Sequence, residues 1–175
     1  AVRELIPRLE AEGLLHTVPQ RGLQIAHVDI KLINNAFQLR LLLEREAAIR
    51  FTTSVSDADL ATIENAHLQI VRRARSGQID DALLSDATMV DWGLHDLMID
   101  ASRNELISDV YRINSLRVRL IKLEGTTLSP DVLLPAMEEH LWFLDAIKQR
   151  DPTEAARRLT HHIESAHRRV LGLPR

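Results

Sequence analysis

The sequence is rich in histidine and contains no cysteine: eight of its 175 residues are histidine. Asp91 and His95 stand four residues apart in a helical segment, so their side chains share one face. His140 and His162 each lie among apolar residues repeating at helical intervals. Imidazole and carboxylate groups together suit zinc, nickel, manganese or iron. The four residues predict either a mononuclear metal site or three hydrogen-bonded core histidines, and spacing alone does not decide between them.

Two Glu-x-x-His pairs, Glu64/His67 and Glu164/His167, have the spacing that supplies ligands in di-iron helical bundles. Glu164 and His167 lie off the apolar stripe of their helix, which predicts solvent exposure. His67 is predicted to point inward, but Glu64 lies on the flank of its helix. The pattern therefore favours one metal ion over two.

Arg40 and Glu44 are four residues apart on a predicted helix. Such a pair is ordinarily a weak intrahelical ion pair. The alternative is that Arg40 points toward the histidines and binds a carboxylate, which a guanidinium can grip with two parallel hydrogen bonds. From the residues alone, the weak ion pair is the preferred interpretation.

The composition restricts the class of protein. Six glycines and six prolines are too few for a turn-rich all-β chain. The lack of cysteine excludes a disulfide framework and thiol chemistry. No segment approaches the roughly 20 apolar residues of a membrane span, and no signal peptide is evident. We therefore expect a cytoplasmic protein that does not enter a membrane. The net charge of −3 argues against coating a polyanion by bulk charge.

The apolar spacing predicts an all-α protein with a small N-terminal appendage. Residues 1–27 are predicted to form a helix and a β-hairpin, with Gly13 ending the helix and Pro7 bending or shortening it. The rest is predicted to form six helices without a strand, at about 30–55, 57–76, 80–101, 104–124, 129–150 and 151–171. Long helices with short polar connections are typical of an antiparallel bundle. The fold class is thus an antiparallel six-helix bundle preceded by a helix and hairpin.

Several motifs carry a resemblance to a known family. The segment 1–15, followed by Pro19-Gln-Arg-Gly22, resembles the recognition helix and wing of GntR-type transcriptional regulators. Downstream motifs resemble the FCD effector-binding domain of the FadR subfamily, in its shorter VanR-like form. They are Leu39-Arg-x-x-x-Glu44, Asp91-x-x-x-His95 leading into Ala101-Ser-Arg-Asn104, Glu139-His140, and Asp151 with His162 eleven residues later.

The resemblance implies two domains: residues 1–27 as the C-terminal part of a winged helix-turn-helix, and residues 28–175 as an FCD-like effector- and metal-binding domain. The first two helices of the DNA-binding domain are expected before residue 1. The implied protein is a homodimeric, metabolite-responsive transcriptional regulator and not an enzyme. Its full-length form would bind operator DNA under the control of a small organic acid.

The resemblance also implies roles for individual residues. It assigns the role of metal ligand to Asp91, His95, His140 and His162. The metal is expected to be a divalent transition metal, with zinc as the first expectation and nickel, manganese or iron as alternatives. It assigns effector contacts to Arg40 and Asn104, and DNA contacts to Arg3, Arg21 and Gly22. The competing hypothesis is a metal-dependent enzyme of the helical-bundle type, either a di-iron protein or a mononuclear hydrolase.

Overall fold

Seven helices and one two-stranded antiparallel sheet make up the described part of the chain, residues 2–77, 79–125 and 130–173 of a computed structural model. Side chains are described for residues 5–77, 79–122 and 131–173. The predicted fold class is confirmed. In chain order the elements are α1 (Val2–Ala11), β1 (Leu15–Val18), β2 (Gly22–Ile25), α2 (Ile30–Ser54), α3 (Asp57–Arg75), α4 (Asp81–Asp100), α5 (Glu105–Gly125), α6 (Pro130–Lys148) and α7 (Pro152–Val170).

Helix α1 ends as the sequence predicts, at Gly13, which adopts a φ of 68°. The amide of Gly13 donates to the carbonyl of Glu10, and the amide of Leu14 donates to that of Leu9. These two bonds satisfy carbonyls at the helix end and require a left-handed residue at Gly13. Pro7 lies inside α1, which spans ten residues. The chain then forms the predicted hairpin.

The first residues of four bundle helices agree to within one residue with their predicted positions because polar caps mark them. The side chains of Asp29, Ser56, Asp80 and Asp151 accept backbone amide hydrogens in the first turns of α2, α3, α4 and α7. Each such bond satisfies a donor that has no partner within the helix. Ser129, the predicted start of α6, lies outside the described residues, and Pro130 is the first residue of that helix.

One end of the bundle is held by Arg150, which follows α6 with a φ of 54°. Its guanidinium donates to the carbonyls of Thr52 (3.0 Å) and Val55 (2.7 Å) and to the carboxylate of Asp57 (2.6 Å). The connection between α6 and α7 is thereby tied to the connection between α2 and α3. The left-handed residue also explains why α6 ends at Lys148, two residues before the predicted end.

Helix α2 packs against α4, α5, α6 and α7, and α6 packs against both α3 and α7. The apolar core is mainly aliphatic, with Phe37 and Phe143 fully buried in its larger part. A polar cluster of arginine, glutamate, aspartate and histidine side chains is buried within it. Within the described residues, no helix combines the length and hydropathy needed to cross a membrane.

Candidate metal centre

Three helices bring the four predicted ligand residues together. Asp91 and His95 come from α4, His140 from α6 and His162 from α7, and all four are buried. One potential ligand atom from each lies within 4.8 Å of the others. Nε2 of His140 is 3.1 Å from Nε2 of His162 and 3.6 Å from Oδ1 of Asp91. Among the described residues this is the one group of three or more such side chains that could hold a metal ion.

Two of the imidazoles have a glutamate carboxylate next to their Nδ1 atoms. Nδ1 of His162 lies 2.8 Å from Oε2 of Glu139, so the Nδ1–H donates and the lone pair is on Nε2. Nδ1 of His95 lies 2.7 Å from Oε2 of Glu44, although the contact is too bent to count as a hydrogen bond. A carboxylate behind a histidine of a metal site fixes the tautomer and the ring orientation.

The third imidazole is oriented by His67, for which the sequence offered no role. Nδ1 of His67 is 2.8 Å from the carbonyl oxygen of Ile63, so it carries the hydrogen and donates. Nε2 of His67 is therefore an acceptor, and it lies 3.1 Å from Nδ1 of His140. This assigns the His140 hydrogen to Nδ1 and leaves its Nε2 lone pair facing the cluster.

Burial keeps the imidazoles of His140 and His162 neutral. It lowers the pKa of His162 to about 4 and the pKa of His140 well below its ordinary value. Burial would also raise the pKa of Asp91, but the charge of Lys122 and the neighbouring histidines outweigh it and lower that pKa. Neutral imidazole and ionised carboxylate are the forms that bind a metal ion.

The geometry fits a single transition-metal ion. The tautomers place two nitrogen lone pairs 3.1 Å apart at His140 and His162, where they repel unless a cation lies between them. Metal–nitrogen bonds of about 2.0–2.1 Å separate two ligand nitrogens by roughly 2.9–3.4 Å for right-angled to tetrahedral arrangements. The observed separation lies within that range. The chemistry of the donor set, three imidazoles and one carboxylate, therefore fits the predicted metal.

Arg40 lies in the same cluster. Its Nε donates to Oε1 of Glu44 at 2.6 Å, and its Nη2 donates to Nε2 of His95 at 2.6 Å. The side chains of Arg40 and Glu44 are only 5% and 0% exposed. The expected intrahelical ion pair thus exists, but it is buried and contacts a predicted ligand. Burial would raise the pKa of Glu44, but Arg40 and His95 outweigh it and lower that pKa to about 2.

A small cavity adjoins the cluster, with residues of α2, α4 and α5 as its walls. The space between these side chains is about 20 Å³, which is room for about one water molecule. Helix α5 contributes residues that the sequence analysis missed, namely Tyr111, Asn114, Ser115, Val118 and Lys122. Their recurrence every three or four residues is the signal that they share one helix face. Nζ of Lys122 contacts Oδ2 of Asp91 at 3.0 Å.

Asn104 does not line this cavity, and its expected contact with the effector stays a prediction. It is exposed, and its Oδ1 accepts the amide hydrogens of Leu106 (3.1 Å) and Ile107 (3.3 Å) at the start of α5. The side-chain oxygen of Asn104 therefore caps the start of α5. The asparagine that lines the cavity is Asn114, ten residues further along the chain.

The Glu-x-x-His pairs form no second cluster in the part of the chain that the structure describes. Glu64 accepts two hydrogen bonds from Lys148 at the surface. Glu164 is exposed, as expected. The expectation that His167 is solvated needs correction, because its ring stacks on Phe37 with centroids 4.8 Å apart.

The predicted DNA-contacting residues lie in the N-terminal segment. Arg21 and Gly22 are exposed at the hairpin turn, where the amide of Arg21 donates to the carbonyl of Val18. Gly22 has a φ of 87°, which suits glycine. Arg3 belongs to α1, but its side chain lies outside the described residues.

Comparisons with known proteins agree with this architecture. The family model of the FCD domain matches residues 35–165. The HTH-type transcriptional repressor RspR of Escherichia coli (strain K12) is 26% identical over 169 residues, which cover 93% of this chain and 69% of the relative. The structure of E. coli McbR/YncC matches with a TM-score of 0.76 and 16% identity, covering 97% of this chain and 83% of that one. A GntR-family regulator from Pseudomonas syringae pv. tomato str. DC3000 matches with a TM-score of 0.59 and 19% identity, covering 98% and 69%.

The E. coli RspR protein and the P. syringae protein are named as transcriptional regulators. The segment that the family model matches contains α3 to α6 and most of α2 and α7. The family model covers well over half of the chain. The chain therefore belongs to the FCD family of GntR-type transcriptional regulators.

Proposed function

We propose that the protein is a metabolite-responsive, DNA-binding regulator in which Asp91, His95, His140 and His162 hold one divalent transition metal. Zinc is the first choice, and nickel, manganese and iron suit the same ligands. The observation that carries the proposal is the tautomer arrangement at His140 and His162, where each ring directs its Nδ1–H to an acceptor on its outer side. The Nε2 lone pairs of His140 and His162 then converge beside the Asp91 carboxylate.

A small organic acid is the proposed effector, with its carboxylate beside the metal. The metal would supply a fixed electrophile for that carboxylate. Nη1 of Arg40 is buried and has no hydrogen-bond partner among the described residues, so the guanidinium has donors left for the same group. Because the cavity holds about 20 Å³, effector binding requires side chains to move, including Arg40 from His95. Asn104 does not line that cavity, and its contact with the effector stays a prediction from the family resemblance.

The site favours a sensor over an enzyme. A hydrolase needs a general base whose pKa lies near the working pH. Burial would raise the pKa values of Glu44 and Glu139, but cationic and imidazole partners outweigh it and hold both at about 2. Asp91 is held low in the same way by Lys122 and the histidines. These carboxylates therefore accept protons poorly at neutral pH.

The proposal predicts one metal ion per chain after purification without chelators, measured by elemental analysis. A chelator should lower the melting temperature, because a ligand that binds only the native state at 100 times its dissociation constant stabilises it by about 2.7 kcal/mol. Two ions per chain would instead support the di-iron hypothesis. A chain that takes up no zinc, nickel, manganese or iron on direct addition would refute the metal site.

Helix α5 offers a physical connection from the cavity to the DNA-binding segment. Arg117 donates through Nη2 to the carbonyl oxygen of Glu12, just after α1, at 2.6 Å. Lys122 on the same helix contacts Asp91 in the proposed metal site. A change in the cavity that displaces α5 therefore acts directly on the end of α1. A ligand shifts this equilibrium only if it binds one arrangement better than the other.

We expect zinc addition to change hydrogen exchange at the amides of α1, and Arg117→Ala to abolish that change while zinc still binds. The control is Arg112→Ala, because Arg112 lies on the same helix but is 60% exposed and pairs with Asp109 at the surface. Exchange measured by mass spectrometry with and without zinc tests this. If zinc changes the exchange of the α1 amides in Arg117→Ala as much as in the wild type, Arg117 does not connect the cavity to α1.

DNA binding and dimerisation complete the proposal. In the full-length protein, Arg3 would enter the major groove, and Arg21 and Gly22 at the hairpin turn would contact the minor groove or phosphates. A second copy would cover the apolar side chains that α5 leaves outside, among them Leu106 (78% exposed) and Val110 (45% exposed). Operator binding places the protein in the cytoplasm.

A further inference from the structure

We propose that the effector is a dianion, a short-chain dicarboxylate, and that Lys122 and Arg40 together recognise its two carboxylates. This inference rests on the proposed function, since it concerns the ligand of the same site. Its basis is the balance of charge around the histidines and the placement of two cationic side chains in one cavity.

The charges of the cavity cancel before a metal ion is added. Arg40 is paired with Glu44, and Lys122 with Asp91, at N···O distances of 2.6 and 3.0 Å. All four side chains line the cavity. A divalent ion would leave the site with two uncompensated positive charges. Uncompensated charge in the interior is costly, so a doubly negative ligand fits this site better than a singly negative one.

A second cation–carboxylate pair nearby leaves this balance unchanged. Arg169 donates two hydrogen bonds to Glu139, the carboxylate behind His162. Both side chains are largely buried, at 12% and 16% exposure. Their charges cancel, so Glu139 does not neutralise the excess that a metal ion would create.

The two cations have donor capacity to spare. Within the described part of the chain, Nη1 of Arg40 is buried without a partner, although a guanidinium always carries hydrogens there. The Lys122 ammonium has three hydrogens, and among the described side chains one carboxylate oxygen, Oδ2 of Asp91, lies within hydrogen-bond reach at 3.0 Å. A metal ion bound to Asp91 would leave that carboxylate shared between the metal ion and the Lys122 ammonium. A ligand carboxylate beside Lys122 restores the balance.

Space for such a ligand depends on Lys122. A second cavity, also of about 20 Å³, lies beside the cluster and is lined by His162 and Arg169. Asp91 and Lys122 belong to the walls of both cavities. The Lys122 side chain is flexible and 18% exposed, so its displacement enlarges the space on both sides of its present position.

The test compares two ligands that differ by one carboxylate. Malate and 2-hydroxybutyrate share the hydroxy acid group, and a methyl group of the latter replaces the second carboxylate of malate. Calorimetry on the zinc-loaded chain should show malate binding about tenfold tighter or more. Succinate and butyrate form the corresponding pair without the hydroxyl group.

Variants identify the residue responsible. We expect Lys122→Met to reduce malate affinity to that of 2-hydroxybutyrate, and Lys122→Arg to keep most of the difference. The matched control is Arg119→Met, because Arg119 also lies on α5 and contacts the Trp92 ring, but is 42% exposed. This control should keep the full preference for malate.

Several outcomes would overturn the proposal. They are equal binding of the two hydroxy acids, an undiminished preference in Lys122→Met, and no binding of any dicarboxylate from malonate to adipate. If Lys122→Met fails to fold, the wild-type comparison still decides the charge of the effector. Metal content is measured on the same samples: no metal refutes the proposed function itself, whereas bound metal with a preference for monocarboxylates refutes only this inference.

Discussion

Replacing His162 by alanine is expected to lower zinc affinity by about 100-fold or more, whereas replacing the adjacent His161 leaves it unchanged. Loss of a direct ligand should exceed the 10- to 100-fold effect typical of groups that only orient one. The metal content of purified protein, and competition with a chromophoric chelator, measure the difference.

The two neighbouring histidines make a matched pair because successive helical residues point about 100° apart. His162 is 2% exposed, with its Nε2 directed at that of His140. His161 is exposed, and its ring lies edge-on to Trp142 with centroids 5.5 Å apart. Both substitutions remove one imidazole from α7, but only His162→Ala removes a buried side chain, so the folded state of both variants must be checked.

Circular dichroism of the metal-free proteins should show the same helix content in both variants, since the metal-binding difference is meaningful only between folded chains. Wild-type metal content in His162→Ala would show that His162 is not a ligand. Loss of metal from His161→Ala would show that the choice between the two is wrong. Either result would require a different fourth ligand.

The sequence predicted the helices well because the determinants of their ends are local. Asp151 and Ser56 precede their helices and cap them, and apolar residues recur at helical intervals between such caps. The two-residue error at the end of α6 has a different origin. Arg150 takes a left-handed conformation while its side chain reaches across to α2, and that contact depends on the tertiary fold.

The candidate site was predictable only where burial follows from apolar neighbours. His140 and His162 lie within apolar stripes, and the structure buries both. Lys122 gave no such signal, since a lysine near a helix end is ordinarily solvated. Arg40 presented a harder case. Its spacing from Glu44 is the same as that between Glu46 and Arg50, yet only the first pair is buried.

Because only one of these two pairs is buried, removing one partner from each is expected to change the free energy of unfolding by very different amounts. Glu44→Ala should lower the free energy of unfolding by about 3–5 kcal/mol, because it leaves the Arg40 charge buried without a counterion. It also removes the carboxylate 2.7 Å from Nδ1 of His95. Glu46→Ala should cost about 0.5 kcal/mol or less, because both partners in its pair with Arg50 are more than half exposed. Urea denaturation of metal-free protein at neutral pH measures both.

A double substitution separates the cost of an unpaired charge from the cost of a missing side chain. Arg40→Met combined with Glu44→Leu removes both charges, and apolar groups often replace a buried ion pair at little cost. We therefore expect this variant to be more stable than Glu44→Ala, although one more residue is altered. If Glu44→Ala costs no more than Glu46→Ala, the Arg40–Glu44 pair is not buried in solution. In that case Arg40 is solvated and unavailable to the proposed effector site.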